Sequence, residues 1–262
     1  MSHHETCRSV GDGYVMGSGV TRRLVSRRVT PDPITDPSPT ERGVALVITL
    51  LVMVLLTALG LSLTLVTSTE RRVAAAHRHA VETFYLADAA LARVVADVAG
   101  IADWSHALDG TVSAAWGDAG ATVDRLPDGS PLDLPAMTGQ VTCGRPSCTP
   151  AEMDATTRER PWGVDNPRWR LFAHGPAAAL GPPGAIDSSA YVLAWVGDDP
   201  LESDGNPLRD GDTTGGPNPG VGRLVVLVHA FGPGGSRQVL TATVARQAAG
   251  VRVVAWRLAG GV

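Results

Sequence analysis

The sequence predicts an α+β protein in which a long N-terminal helix packs on a C-terminal antiparallel β-sheet domain. The helix prediction rests on residues 44–66, which read VALVITLLVMVLLTALGLSLTLV without one charge, and on residues 70–99, which contain neither Pro nor Gly. The sheet prediction rests on short β-prone runs beyond Gly100, which clusters of Gly, Pro and Asp separate. The first half of the helix is predicted to be transmembrane and the second half amphipathic.

The apolar first half of the helix is long enough to cross a membrane. A bilayer core needs about 20 apolar residues in a helix, and a buried helix of a soluble protein rarely lacks a polar face over such a length. Five of the arginines upstream of the apolar run predict that this side stays in the cytoplasm: Arg22, Arg23, Arg27, Arg28 and Arg42. The domain after the helix is therefore expected outside the cytoplasm.

Three kinds of N-terminal segment combine a basic region with an apolar run. An ordinary secretory signal has an apolar region of about 7–15 residues before its cleavage site, whereas this run is longer and continues as a helix. A twin-arginine signal is suggested by Arg22-Arg23, but four prolines lie between that pair and the apolar run. The third kind is a leader that is cleaved before the apolar run, which then stays in the mature protein.

The second half of the helix carries one apolar stripe, which is expected to face the sheet. Its members recur at spacings of three and four: Val73, Ala76, Ala80, Phe84, Ala87, Leu91, Val94 and Val98. Gly100 is the expected end of a single helix over residues 44–99. The chain is thus divided into a cytoplasmic leader (1–43), a transmembrane half-helix (44–69), an amphipathic half-helix (70–100) and an extracytoplasmic β-rich domain (101–262).

Two stretches resemble the N-terminus of PilX-type minor pilins of type IV pili. Residues 41–47 read ERGVALV, and residues 83–91 read TFYLADAAL, which is similar to the family's A-F-Y-x-A-E-A-x-L segment with Thr83 for Ala and Asp88 for Glu. The resemblance implies a pilin-like fold and a prepilin peptidase cut after Gly43. The mature chain would begin at an N-methylated Val44. Whether translation starts at Met1 or Met16 is left open.

The resemblance also exposes a departure at the fifth mature position, which is Ile48. Major pilins carry a glutamate there, whose carboxylate meets the N-terminal amine of the neighbouring subunit during assembly. A buried carboxylate without a partner is unfavourable, so a subunit at the tip gains nothing from it. The K-type minor pseudopilin of type II secretion lacks the glutamate as well and sits at the tip. Ile48 therefore favours a tip or initiating role, although PilX-like sequences also vary at this position.

The β-prone runs of the C-terminal part predict the sheet. They are 111–116, 120–126, 139–143, 167–174, 190–197, 223–231, 237–246 and 251–258. The clearest unit is a hairpin of 223–231 and 237–246, which the turn Gly232-Pro233-Gly234-Gly235-Ser236 connects. Two loops, 143–166 and 197–220, look inserted into this pattern.

The two cysteines of the C-terminal part, Cys143 and Cys148, predict a disulfide across a tight loop if the domain is exported. A zinc site is the alternative, but it needs about four ligands, and no second Cys/His pair lies nearby in sequence.

The loop 197–220 is strongly acidic, with one arginine among six carboxylates: Asp198, Asp199, Glu202, Asp204, Asp210 and Asp212. Ca²⁺ takes six to eight oxygen ligands from such carboxylates and from loop carbonyls. The spacing does not fit an EF-hand, so calcium binding and a solvated acidic loop both remain open. No other cofactor is expected.

The sequence offers no grounds for catalysis or for nucleic-acid binding. Nucleotide-binding, esterase and zinc-protease motifs are missing, and the formal net charge is −4. The resemblance implies a minor pilin or pseudopilin that helps to assemble, initiate or cap a type IV pilus-like filament. Its partners would be other pilins, the prepilin peptidase and the inner-membrane assembly machinery. It would reside in the inner membrane, with its domain outside the cytoplasm, before assembly, and in the pilus, the periplasm or at the cell surface afterwards. The alternative is a single-pass signal-anchored protein that binds an extracytoplasmic partner and does not polymerise.

Overall fold

The computed structural model describes residues 39–114, 116, 125–202, 204–211 and 220–259. Contacts divide the chain into two units, Met1–Leu61 and Ser62–Val262, each of which is described by itself. The described part of the first unit is helical throughout, and its side chains from residue 43 onward are exposed.

Helix α1 runs from Pro39 to Ala99 and therefore begins five residues before the predicted start at residue 44. Proline suits a first helical turn because its φ is fixed near the helical value and its missing N–H would have no partner there. The helix ends where the sequence predicted, since Gly100 leaves the helix and its N–H donates to the Asp97 carbonyl at 3.1 Å.

The second unit contains one five-stranded antiparallel sheet, which confirms the predicted α+β class. Its strands are β1 (Arg170–Pro176), β2 (Tyr191–Asp198), β3 (Arg223–Phe231), β4 (Arg237–Gln247) and β5 (Gly250–Ala259). Each strand pairs with the next along the chain, so the spatial order equals the sequence order. All eight residues of β2 are buried, which shows that the sheet is covered on both faces.

The C-terminal part of α1 covers one face of the sheet. Ala87, Leu91, Val94 and Val98 of the predicted stripe are buried against β2, β3 and β4. The prediction was wrong for Val73 and Ala76, both of which are exposed. The sheet does not reach them, because the β3–β4 turn meets the helix at Thr83, whose Oγ lies 2.7 Å from Ser236 Oγ.

A layer that the sequence did not predict covers the other face. Helix α3 (Leu134–Cys143) packs Leu134, Met137 and Val141 against Leu193, Trp195 and Leu227 of the sheet. The strand expected at 139–143 was therefore wrong. Asp133 caps the helix N-terminus by accepting from the Ala136 N–H at 2.9 Å, and Gly144 ends the helix in the left-handed conformation.

The two strands expected before α3 are not formed by the residues that the structure describes there. Residues 111–114 and 116 adopt no regular strand, and 120–124 lie outside the described residues. Arg125 makes only an isolated bridge with Pro131.

A buried tryptophan fixes the end of α1 to the domain. Trp104 is 0% exposed, just before the short helix α2 (Ser105–Leu108), and its indole N–H donates to the Val98 carbonyl at 2.8 Å. The Arg246 guanidinium of β4 lies 4.6 Å from the centre of the indole ring and also donates to the Ile101 carbonyl at 2.9 Å. Trp104 thus connects the last turn of α1 with Arg246 of β4, and Arg246 also holds the loop after α1 at Ile101.

Candidate functional site

The N-terminal stretch of α1 presents apolar side chains without any cover from the chain itself. Large apolar side chains from Val44 to Val66 are exposed, with Ile48 at 54%. The part of α1 from Gly43 onward is long and apolar enough to cross a membrane, by its length and composition. Exposure of such an apolar surface to water is unfavourable, so it needs an apolar surrounding such as lipid.

The polar groups of this stretch suit an apolar environment. The Thr49 and Thr57 hydroxyls each donate at 2.8 Å to a backbone carbonyl three residues earlier, Leu46 and Val54 respectively. Such bonds remove the cost of placing a hydroxyl in hydrocarbon. The first half of α1 is therefore compatible with a single membrane span.

Gly43 has no packing role in the structure. It lies inside α1, and a Cβ built on it would meet nothing within 4 Å. Glycine inside a helix is less stable than alanine by about 0.5–1 kcal/mol. The packing of the described residues therefore gives no reason for a glycine at position 43.

The cysteine loop is part of the layer over the sheet. The Sγ atoms of Cys143 and Cys148 are bonded, with Cα atoms 6.0 Å apart. The loop closes over α3 at Gly139, where a Cβ would lie 2.6 Å from the Arg145 carbonyl oxygen. Arg160 holds the same layer by donating to the Glu152 carbonyl at 3.1 Å. The predicted loop 143–166 is thus an ordered part of the domain.

The acidic loop brings three of its six predicted residues together. Asp198 at the end of β2, Glu202 and Asp204 each offer a carboxylate oxygen, and these oxygens lie within 4.8 Å of one another. We call these three residues the acidic trio. Asp198 is 2% exposed and Glu202 is 5% exposed, so two of the three carboxyl groups are removed from solvent.

Burial makes the charged state of the acidic trio unfavourable. Desolvation, followed by the neighbouring Glu202, raises the pKa of Asp198. Desolvation also raises the pKa of Glu202, and the charge of Asp204 raises it further. A side-chain hydrogen bond with Asp198 acts the other way and lowers the pKa of Glu202. Apart from the Asp198 carboxyl group, no group of the described residues bonds the buried Glu202 oxygens, and one buried Asp204 oxygen has no hydrogen-bond partner among those residues.

The other acidic residues of the loop have separate roles. The Asp199 carboxylate accepts from the Leu201 N–H at 3.2 Å, and its second oxygen lies 3.8 Å from the Arg223 guanidinium. Asp210 accepts from the Gly222 N–H at 2.7 Å, which fastens the loop to the start of β3. Asp212 lies outside the described residues.

A seventh carboxylate, which the sequence reading did not select, lies near the acidic trio. Asp165 follows α4 (Pro150–Met153) in the other predicted loop, and its Oδ1 is buried without a hydrogen-bond partner among the described residues. Burial raises the pKa of Asp165, and so does the charge of Asp204. No spacing in the sequence connects residue 165 with residue 204, so only the fold identifies the pair.

The similarity to known proteins lies in the N-terminal part of the chain. Residues 42–92 match the PilX N-terminal family. No curated protein and no solved structure matches the chain. The PilX-type segment contains the exposed apolar stretch and the first buried turns of α1, including Thr83 and Ala87. PilX-type proteins are structural subunits related to type IV pili, and over this segment the chain is similar to them.

The PilX match covers Gly43, Val44 and Ile48 but ends long before the cysteine loop and the acidic trio. The match therefore bears on membrane anchoring and on the relation to pilins. The two features of the C-terminal part rest on the structure alone.

Proposed function

We propose that the protein is a minor pilin or pseudopilin that takes part in the assembly, initiation or capping of a type IV pilus-like filament. The observation that carries this proposal is the PilX-type segment at 42–92, which begins on an exposed apolar helix and ends under the sheet. A single-pass anchor needs only the apolar half of this helix. A filament subunit also needs the helix to continue into its folded domain, as α1 does.

Processing is the first step of the proposed role. A prepilin peptidase at the inner membrane cuts after Gly43, and the new N-terminus at Val44 is methylated. Because no side chain of the described chain packs near Gly43, the glycine serves the peptidase rather than the fold. The released apolar helix then stays in the bilayer until the assembly machinery moves it among the helices of other pilins.

Assembly replaces lipid around the apolar helix by neighbouring helices. Its large side chains are about half to two-thirds exposed in the single chain, so each can be buried in a filament. Full burial of one such side chain contributes about 1.5–3 kcal/mol relative to water. Lipid already provides most of this burial free energy, so packing against other helices decides whether the subunit leaves the membrane.

Ile48 favours a position at the tip. An exposed isoleucine at the fifth mature position offers no carboxylate to the N-terminal amine of another subunit. A subunit that begins the filament needs no such pair. The sheet domain would then face outward, where its surface can contact other minor pilins.

Ile48→Glu tests the tip position. At a tip the new carboxylate has no amine partner, and an unpaired charge in the bilayer costs about 2.5–3.5 kcal/mol near the centre of a helix and less near its end. The variant should therefore leave filament number unchanged or lower it. Ile48→Leu is the matched control and should behave as the wild type.

Immunogold labelling of sheared filaments completes the test. We expect the protein at filament ends, far scarcer than the major subunit, and we expect deletion of its gene to reduce filament number rather than filament length. Labelling along the whole shaft would contradict the tip position. Absence from filaments would contradict the pilin role and favour the signal-anchored alternative.

A further inference from the structure

The acidic trio concentrates negative charge where the described chain offers little to balance it. The Arg223 guanidinium lies 3.8 Å from Asp199, which is not a member of the trio, and its side chain is half exposed. Burying one unpaired carboxylate costs several kcal/mol. Three carboxylates within 4.8 Å of one another add mutual repulsion to that cost.

The loop around the trio is built to enclose it. Gly220 approaches Glu202 so closely that a Cβ on residue 220 would overlap the Glu202 carboxylate, and the φ of Gly220 is +68°. The Gly220 carbonyl then accepts from the Arg223 N–H at 3.0 Å, where β3 begins. The backbone at Gly220 thus packs against Glu202, and apart from the Asp198 carboxyl group no donor among the described residues reaches the Glu202 oxygens.

We propose that Asp198, Glu202 and Asp204 bind one Ca²⁺ ion where β2 ends and the loop to β3 begins. A divalent cation offsets the repulsion between the carboxylates and gives the buried Glu202 oxygens a partner besides the Asp198 carboxyl group. The raised pKa values of Asp198 and Glu202 agree with a site whose carboxylates need either a proton or a cation.

The donor set selects the class of ion. All three side chains offer oxygen, and neither His nor Cys belongs to the group, which disfavours zinc. Ca²⁺ accepts several carboxylates and completes its six to eight ligands with carbonyls and water. Mg²⁺ keeps several waters and is usually bound by one or two carboxylates, so three suit it less well. Asp165, whose buried Oδ1 lacks a hydrogen-bond partner among the described residues and whose pKa the charge of Asp204 raises, is a candidate source of a further oxygen.

The proposal does not depend on the pilin role, because the trio lies outside residues 42–92. The proposed ion would be a ligand of the loop that connects the neighbouring strands β2 and β3. A bound ion would hold the loop in one conformation on an extracytoplasmic surface, where free calcium is abundant. Binding and filament formation can therefore be measured separately.

Calorimetric titration of the full chain in detergent, freed of metal with EGTA and dialysed, tests the site. We expect one Ca²⁺ per chain with a Kd below about 1 mM, the weak end for extracellular calcium modules. Glu202→Gln and Asp198→Asn should each weaken binding by at least about tenfold, equivalent to about 1.4 kcal/mol. Glu159→Gln removes one exposed carboxylate of the same domain and should bind as the wild type does.

Thermal unfolding with and without calcium separates ligation from general stability. Wild type should unfold at a higher temperature in Ca²⁺ than in EGTA, whereas Glu202→Gln should show no difference. In EGTA the Glu202→Gln variant should be at least as stable as wild type, because a neutral amide avoids the cost of ionising a buried carboxyl group beside Asp204. The proposal would be overturned if the wild type bound no Ca²⁺ at several millimolar or preferred Mg²⁺. It would also be overturned if Ca²⁺ raised the unfolding temperature of wild type and of Glu202→Gln equally.

Discussion

Trp104→Phe is expected to loosen the connection between α1 and the sheet domain. Phenylalanine keeps an aromatic ring but cannot donate to the Val98 carbonyl, which the indole N–H reaches at 2.8 Å. The lost hydrogen bond contributes about 1 kcal/mol. The volume left empty at a fully buried position adds about 1 kcal/mol, and weaker stacking of the Arg246 guanidinium adds about 0.5 kcal/mol. The sum is about 2–3 kcal/mol.

The matched control is Trp256→Phe on β5. Trp256 is 62% exposed, so the same substitution there should change the free energy of unfolding by less than about 0.5 kcal/mol. For a domain of this size we expect Tm to fall by about 5–10 °C for Trp104→Phe and by less than about 2 °C for Trp256→Phe. Far-UV circular dichroism of the full chain in detergent measures both. Equal shifts for the two variants would refute the argument that Trp104 secures the helix end.

Three further predictions concern the folded domain. Cys143 and Cys148 should resist alkylation until they are reduced, and replacing both by Ser should lower the free energy of unfolding by about 2 kcal/mol; free thiols in freshly isolated protein would contradict this. Thr83→Ala, which removes the 2.7 Å contact with Ser236 Oγ, should cost about 1 kcal/mol in chemical denaturation, and an unchanged midpoint would contradict it. Burial, together with the charge of Arg237, lowers the pKa of His229 to about 3. Below a pH of about 6.5, His229 therefore binds a proton in the unfolded chain but stays neutral in the native state. The free energy of unfolding should then fall by at most about 1.4 kcal/mol per pH unit from there towards pH 3. His229→Gln should show a flatter decline over that range, and parallel declines in the two proteins would contradict the argument.

The helix and all five strands of the sheet could be predicted from the sequence because each has a recognisable local pattern. The 44–66 run lacks charge entirely, and the middle of β4 alternates buried and half-buried side chains. Hydrophobic burial acts directly on such patterns, so the elements follow from spacing alone. The helix end at Gly100 was predictable for a related reason, since glycine interrupts an otherwise regular run.

Helix α3 was missed because its sequence, LPAMTGQVTC, contains β-branched residues and a central glycine. Both features lower helix propensity. Gly139 is there because the cysteine loop packs against it, a contact that no local pattern reveals. The signals that identify the helix are at its ends, where Asp133, Pro135 and Gly144 provide a start, a first turn and a stop.

The acidic trio was only partly predictable. Six carboxylates in one loop indicated the region, but the sequence does not say that Asp198 and Glu202 turn inward while Asp210 secures the backbone. The inward turn depends on where β2 ends and β3 begins, which the sheet register sets. Asp165 belongs to a different loop, so its proximity to Asp204 depends on the tertiary fold.

The N-terminus of the mature protein tests the central claim most directly. Mass spectrometry of protein isolated from membranes of cells with an active prepilin peptidase should find a chain that begins at an N-methylated Val44. Gly43→Leu should keep its leader, whereas Gly60→Leu, at another helix position where a Cβ meets nothing within 4 Å, should be cleaved normally. A wild-type chain that retains residues before Val44 would contradict the proposal that this protein is a pilin.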